Sequence, residues 1–580
     1  VEAFVSGGGT SQNSVSKAIV RFLASRGVDR IFGLCGGHIM PLWIDADRAG
    51  IRIIDVRDER AAVHMAQAHA EITGELGVVL ITAGPGVTNA ITGIANAHIS
   101  RAPVLVISGT PPRPQEFRGA LQGIDHVPMV ESITRYARTV REQGLVLPEL
   151  ATACAKAQGH GGAPGPAYID FPTDLLRETL AGALARDELF EAKAKPLLAP
   201  AAEDVERAVN LIWAAKRPLL IAGRGARGAE TEMADLLDRT GALYLDTTEA
   251  RGLISDDHPG LVNAMRGQVM READLVLTIG RKLDFQLAYG SPAVFENARF
   301  VRIADNLDEL ADNRRGEAEI LADPKSALAA ILEQAGNAKP QTDRTWSEGT
   351  RQKHEERVAK MSAGLATAPA DAAGRMHPYA MLGALKDKLD DDAILIADGG
   401  DILSFARVAL SPRTYLDPGA LGCLGVGVPF GIAAALARPG AQVAVVTGDG
   451  SFGFNGIDIE TAKRHKAGVV FIIANNAAWN IEVHDQKVTH NHNVGTKLTD
   501  CDYAQMAQGL GLHAERVDDA AALPDALERA FANAPALLDV AVSLEAISSD
   551  GKAGLAWVPD LQPLEAWDEM ERAWREGAKA

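Results

Sequence analysis

The chain of 580 residues is poor in cysteine, aromatics and excess positive charge. Its four cysteines (Cys35, Cys154, Cys423, Cys501) show no CxxC spacing, which argues against a zinc site or disulfide framework and for reduced cytosolic thiols. No apolar run approaches the ~18–20 residues of a membrane span. The opening VEAFVSGGGTSQNS lacks a basic segment followed by an apolar one, so no secretion signal is read and a cytoplasmic location is expected. A net charge of −18 argues against a nucleic-acid-binding surface.

What is present is an ordinary globular composition, 47% hydrophobic and 23% charged, in a chain too long for one core. Buried-type runs alternate with helical patterns: Ile51 to Val56, Gly77 to Thr82, Val104 to Ser108 and Ala167 to Phe171 in the first part. Pro218 to Ala222, Leu275 to Ile279 and Phe300 to Ile303 follow in the middle. Ala393 to Ala397, Val443 to Thr447, Val469 to Ala474 and Leu537 to Val542 complete the set. This alternation predicts α/β architecture with three doubly wound parallel-sheet domains, over 1–185, 200–335 and 372–580. Polar linkers separate them, the second including one solvated helix. The aromatic C-terminus (Trp557, Pro559, Trp567, Trp574) is expected to pack back as a lid.

The chemistry concentrates in VAVVTGDGSFGFNGIDIETAKRHKAGVVFIIANNAAWNIE, from Val443 to Glu482. One strand ends in Gly448-Asp449-Gly450-Ser451 and the next in Asn475-Asn476. Open parallel sheets bind ligands at such ends. Glycines let backbone approach a diphosphate, while Asp449 and Asn476 supply the oxygens that Mg²⁺ or Ca²⁺ prefers. In the middle domain, Gly223-Arg224-Gly225-Ala226-Arg227-Gly228 is GxGxxG-like, with Asp305 at a later strand end. It fits an empty Rossmann-like spacer and an adenine-nucleotide or coenzyme A site equally well.

The paired GDG and Asn-Asn ends resemble the metal–diphosphate motif of thiamine-diphosphate enzymes, and the resemblance extends over nearly the whole chain. It implies that the first domain holds the aminopyrimidine and the last the diphosphate, with the site between two subunits. A homodimer at minimum, and a homotetramer as a dimer of dimers, are expected. By the same resemblance Asp449, Asn476 and the Ala478 carbonyl are metal ligands, and Gly448, Gly450, Ser451, Gly400 and Asp401 face the diphosphate. Leu424 wedges under the bent cofactor, and the Gly422 carbonyl accepts from its amino group. Glu59, in DERAAVHMAQAHA, stands where the family carries the glutamate that hydrogen-bonds the pyrimidine.

IFGLCGGHIMPLW, LQGIDHVPMVESITRYA and the Asn475–Gln486 frame are similar to segments of benzaldehyde lyase, which points to His38 and Gln122 as polar groups over the thiazolium. Cys35 departs from that pattern, which has a histidine there. Glu482 falls where pyruvate-decarboxylase-like enzymes carry a catalytic glutamate. GRKLDFQLAYGSP resembles oxalyl-CoA decarboxylase and 2-hydroxyacyl-CoA lyase, which implies ADP or CoA at the central domain, with Arg224, Arg227, Arg281 and Lys282 near its phosphates. The reading that results is a lyase cleaving a 2-hydroxyacyl-CoA to an aldehyde or ketone and formyl-CoA. An acyloin lyase or carboligase and an acetolactate synthase are the alternatives.

Overall fold

The computed structural model describes residues 14–180, 191–292, 294–548 and 573. Apart from Ser548 and Ala573, the aromatic C-terminus expected to form a lid lies outside them. Three sheets of six, five and six strands carry the chain. The first comprises β1 Arg30–Gly33, β2 Arg52–Asp55, β3 Gly77–Ile81, β4 Val104–Thr110, β5 Tyr136–Thr139 and β6 Ala167–Pro172. The middle sheet comprises β7 Pro218–Ala222, β8 Leu243–Leu245, β9 Leu275–Ile279, β10 Arg299–Ala304 and β11 Ala318–Leu321. The last comprises β12 Ile394–Asp398, β13 Thr414–Leu416, β14 Val443–Gly448, β15 Val470–Asn475, β16 His513–Val517 and β17 Ala536–Ala541. Every pairing between these strands is parallel.

The first sheet runs β2-β1-β3-β4-β6-β5 and the last β13-β12-β14-β15-β17-β16, the same order and thus the same topology. Both have central strands buried on two faces, as helices on either side of a parallel sheet require. Their helices also pack on each other. Asp58 caps helix Glu59–Thr73 by accepting the Arg60 N–H at 2.8 Å, and Gly74 ends it in the left-handed region. Ala61, Ala62 and Ala66 of that helix share one apolar core with Phe430, Ala433 and Ala434 of helix Gly427–Ala437. Small side chains let the two helices approach closely, and polar contacts tie the rim. The Arg57 N–H donates to Asp458 Oδ1 at 3.0 Å, and the Arg60 guanidinium donates to the Phe454 carbonyl at 2.9 Å.

The solvated helix expected in the second linker is Arg344–Ala366. Its first turn docks on the middle domain, where the Trp346 indole donates to Glu272 at 2.8 Å. Among the described residues no helix is long and apolar enough to cross a membrane.

Candidate active site

The C-terminal ends of β12, β14 and β15 enclose a cavity of about 250 Å³. Gly400, Asp401, Gly422, Leu424, Gly448, Asp449, Gly450, Ser451, Asn476, Ala478 and Glu482 all line it. The helical pattern of the sequence sets in only at about Ile457, but helix Asp449–Asn455 starts directly at the GDG turn. Gly450 and Gly453 hide its periodicity, and Gly450 is there for a reason of space. A Cβ on it would stand 2.5 Å from the Trp479 ring.

Asp449 is 2% exposed and its Oδ2 has no protein partner. Burial pushes its carboxyl up to about 6, against the pull of backbone N–H groups from Gly450, Ala477 and Ala478. A buried carboxylate oxygen without a donor, beside the Asn476 amide oxygen and the Ala477–Ala478 turn that pairs with the segment around Lys497, is a donor set for a hard divalent cation. That turn is strained, with Ala477 at φ +56°, and is fixed by Asn475 Oδ1 accepting the Ala477 N–H at 3.2 Å. Asn475 is itself anchored, donating to Asp539 Oδ1 at 3.0 Å. The residues fit a metal–diphosphate group: glycine backbone and a helix N-terminus for the anion, oxygens for the cation. No cluster of three His, Cys, Asp or Glu among the described residues offers an alternative metal site.

Asp398 ends β12, and nothing in the sequence around it marks a further role. Its buried carboxylate accepts the N–H groups of Gly425 at 3.1 Å and Gly427 at 2.9 Å, so it holds the loop carrying Gly422 and Leu424. Asp401 accepts from the Asn480 amide at 2.8 Å, joining the start of helix Asp401–Ala409 to that of Asn480–His490. In the first turn of the latter helix, Glu482 faces the cavity. Partial burial, then the charge of Asp485, raises its carboxyl above the usual range.

Glu59, His38 and Gln122 are not in that wall. They gather at the C-terminal edge of the first sheet, around the turn after β3. Glu59 is 5% exposed and its Oε2 accepts from the Asn89 amide at 3.0 Å. Desolvation lowers the pKa of His38, and the facing Gln122 amide opposes that shift. Gln122 sits at φ +60°, and Cys35, three residues before His38, is exposed. His126 is fully buried behind the turn rather than in the opening.

The cations expected to meet phosphates at the Gly223–Gly228 turn are largely engaged within the protein. Arg224 pairs with Glu71 of the first domain at 3.1 Å, Arg227 donates to the Glu71 and Glu249 carbonyls, and Arg281 pairs with Asp284 at 2.8 Å. Open space lies instead at the ends of β10 and β11. A cleft of about 670 Å³ there is lined by Arg135, Lys156, His160, Lys195, Asp305 and Asn306, among others.

Comparison with known proteins gives the family of the three domains. Residues 13–129 match the model of the thiamine pyrophosphate enzyme N-terminal TPP binding domain, 205–331 the central domain, and 398–540 the C-terminal TPP binding domain. A 2-hydroxyacyl-CoA lyase 2 of Caenorhabditis elegans is 31% identical over 554 residues, covering 88% of this chain and 85% of that relative. A probable acetolactate synthase of Mycobacterium bovis is 32% identical over 535 residues, covering 90% and 95%. The 2-hydroxyacyl-CoA lyase 2 of Bos taurus is 32% identical, covering 85% and 83%. Fold and matches together define a three-domain α/β enzyme that depends on thiamine diphosphate. The chain belongs to the thiamine pyrophosphate enzyme family.

Proposed function

We propose that the protein is a carbon–carbon lyase that reversibly cleaves a 2-hydroxyacyl-CoA to an aldehyde or ketone and formyl-CoA. In this reading the Asp449 carboxylate, the Asn476 amide oxygen and the Ala478 carbonyl hold Mg²⁺ (or Ca²⁺). The diphosphate lies against Gly448, Gly450 and Ser451, with Gly400 and Asp401 behind it. Gly422 and Leu424 receive the aminopyrimidine side, and Glu59 of a second subunit hydrogen-bonds the pyrimidine. When bound, thiamine diphosphate supplies the nucleophilic carbon and the electron sink.

The residues' part is to move protons. Cleavage of R–CH(OH)–CO–S–CoA to R–CHO and H–CO–S–CoA removes one proton from the hydroxyl and places one on the departing acyl carbon. One acid–base group can do both. The observation that carries the reading is Glu482, a carboxyl with raised pKa in the same cavity wall as Asp449 and Asn476. His38, whose pKa desolvation lowers, and Gln122 are the second polar pair facing the substrate. The lyase names borne by several relatives support this choice. The mycobacterial relative supports a second reading, acetolactate synthase, and the segments around His38 and Gln122 a third, a benzaldehyde-lyase-like acyloin lyase or carboligase.

We place ADP or the nucleotide end of CoA in the 670 Å³ cleft, where Lys156 lies beside Arg135 and Lys195, whose present partners Asp308 and Asp305 the phosphates would displace. Two observations support an assembly of at least a dimer, and a homotetramer as a dimer of dimers. Glu59 does not line the Asp449 cavity of its own chain. Phe117, Leu121 and Ile124 beside Gln122, like Phe454 and Ile457 beyond the GDG turn, are large apolar side chains left exposed. Domain limits of 1–185, 200–335 and 372–580 and a cytoplasmic location complete the proposal. The test is incubation with thiamine diphosphate, Mg²⁺ and, in parallel, 2-hydroxyacyl-CoAs, benzoin and pyruvate. Formyl-CoA is the expected product. Absence of thioester cleavage rejects the proposal, and benzaldehyde or acetolactate would select one of the other readings.

A further inference from the structure

The turn after β3 touches two of the three first-domain residues assigned to the cofactor and substrate, Glu59 and Gln122. A Cβ on Gly84 would stand 2.9 Å from the Gln122 Cβ, and one on Gly86 would stand 3.4 Å from Glu59 Oε1. Asn89, one helical turn further, donates to Glu59 Oε2 at 3.0 Å. The turn is thus in contact with Gln122 and, through Gly86 and Asn89, with the Glu59 carboxylate. Gly84 has φ +62° and ψ −111°, a conformation that side-chain-bearing residues rarely adopt and that surrounding structure must hold.

What holds it is an imidazole. The Gly84 N–H donates to His126 Nε2 at 2.9 Å in a fully buried contact. An N–H that points into Nε2 requires that nitrogen to carry a lone pair, so the ring proton is on Nδ1. Nδ1 lies 3.0 Å from Asp170 Oδ2, and the Tyr168 hydroxyl donates to the same oxygen at 2.8 Å. His126 is 2% exposed, and Tyr168 and Asp170 are completely buried. The relay therefore runs from Tyr168 and Asp170 through His126 to the backbone of the turn, and none of its three side chains lines the cavity at Asp449. A proton on Nε2 would set N–H against N–H, so this histidine cannot shuttle protons without releasing the turn.

We infer that His126 is a positioning residue: held as the Nδ1–H tautomer by Asp170, it clamps the Gly84 amide and thereby sets where Glu59 and Gln122 stand. The clamp is a matter of geometry; its consequence for turnover rests on the role proposed above for Glu59. His126→Phe keeps a ring but removes the acceptor, whereas His126→Gln offers an amide oxygen in its place. Asp170→Asn leaves the imidazole in place but reverses its tautomer, because its amide can donate to Nδ1 and push the proton to Nε2.

Two measurements on the full-length protein decide the matter. The first is amide hydrogen exchange of a peptide spanning residues 82–89 in the cofactor-free protein. His126→Phe and Asp170→Asn are expected to speed exchange at Gly84 about tenfold, and His126→Gln to leave it near the native rate. The second is deuterium exchange at thiamine C2 in the reconstituted protein, quenched in acid and read by NMR. Here His126→Phe is expected to slow exchange about 100-fold, with most of the rate restored in His126→Gln. Native protection of the turn in both His126→Phe and Asp170→Asn overturns the clamp. A loosened turn with a native C2 rate, in a protein where Glu59→Gln does slow that rate, overturns the link to Glu59. If Glu59→Gln leaves C2 exchange unchanged, the role given to Glu59 fails, and the clamp stands or falls on the amide exchange alone.

Discussion

The buried carboxylate of Asp398, at the end of β12, accepts the Gly425 N–H at 3.1 Å and so fastens the loop that presents Leu424. It also takes the Gly427 N–H and, at 3.4 Å, the Thr447 hydroxyl of β14. Asp398→Ala would leave the two N–H groups buried without an acceptor, at about 1–3 kcal/mol each, while the Thr447 hydroxyl keeps the Gly448 carbonyl, so a loss of roughly 2–6 kcal/mol is expected in denaturant unfolding. Thiamine diphosphate affinity should fall with it, because the freed loop carries Gly422 and Leu424. Asp398→Asn, whose amide oxygen can take the same N–H groups, should stay within about 1 kcal/mol of the native protein. Equal losses in both variants would show that charge, not acceptance, matters.

Asp458 links the two similar domains through the Arg57 N–H, and burial pushes its carboxyl up to about 6. In the unfolded chain the same group titrates near 4. Between those values the native state binds the proton and the unfolded state does not, so stability falls as pH rises from about 4 through 6. The stabilising contribution is whole below about pH 4 and gone above the folded pKa. Asp458→Asn keeps an oxygen for Arg57 and Thr461 and removes the titration. The variant should therefore gain about 3 kcal/mol relative to native between pH 4 and pH 7.5 in paired urea unfolding curves. An unchanged pH slope would remove Asp458 as a cause.

The residues that were legible in the sequence and those that were not differ in how far their partners lie along the chain. Asp449 and Asn476 were readable because a strand end, a glycine and a polar residue fall together in a short stretch. Asp398 and His126 were not, because their roles are set by Gly425, 27 residues away, and Asp170, 44 away. The sheets show the same division. Runs buried on both faces were readable, and of the edge strands Arg52–Asp55 was too, whereas Tyr136–Thr139, Leu243–Leu245, Ala318–Leu321, Thr414–Leu416 and His513–Val517 were missed, and each is an edge strand. An edge strand pairs on one side and is short, so neither a long apolar run nor a clean alternation develops.

Arg224 and Glu71 make a largely buried ion pair across the first and middle domains. Glu71 also accepts from Gln67, which accepts from Asn96, so the pair ends a polar chain running into the first domain. Glu71→Ala strands the guanidinium, and breaking a pair of this kind costs about 3–5 kcal/mol. Replacing both partners with methionine should recover most of that loss, since the desolvation of two charges is then avoided. A double-mutant cycle on the unfolding midpoint is the measurement. A Glu71→Ala cost below about 1 kcal/mol would mean that the pair is solvated in solution.

Gly450 is the contact point between the GDG turn and the Trp479 ring. Gly450→Ala must move either the helix start or the indole by several tenths of an ångström, because its Cβ would lie 2.5 Å from the ring. The expected result is a folded protein with thiamine diphosphate affinity reduced about 100-fold or more, read by titration calorimetry in excess Mg²⁺. Trp479→Leu in the same background makes room and should restore part of the affinity. If it does not, the alanine acts on the diphosphate directly rather than through the indole.

Glu482 separates holding the cofactor from using it. It lines the cavity in the first turn of helix Asn480–His490, yet no metal or diphosphate contact is assigned to it. Glu482→Gln preserves shape and hydrogen-bonding reach while removing the proton. Turnover is expected to fall about 10²–10⁴-fold, the usual worth of a general acid–base group, with cofactor affinity within a few-fold of native. Because its carboxyl is raised, the acidic limb of the native pH–rate profile should lie above the ordinary glutamate range and vanish in the variant. Glu59→Gln should abolish turnover as well, but with no such selective loss of one limb. A large drop in thiamine diphosphate affinity in Glu482→Gln would make this residue part of the cradle and leave the proton transfers to His38.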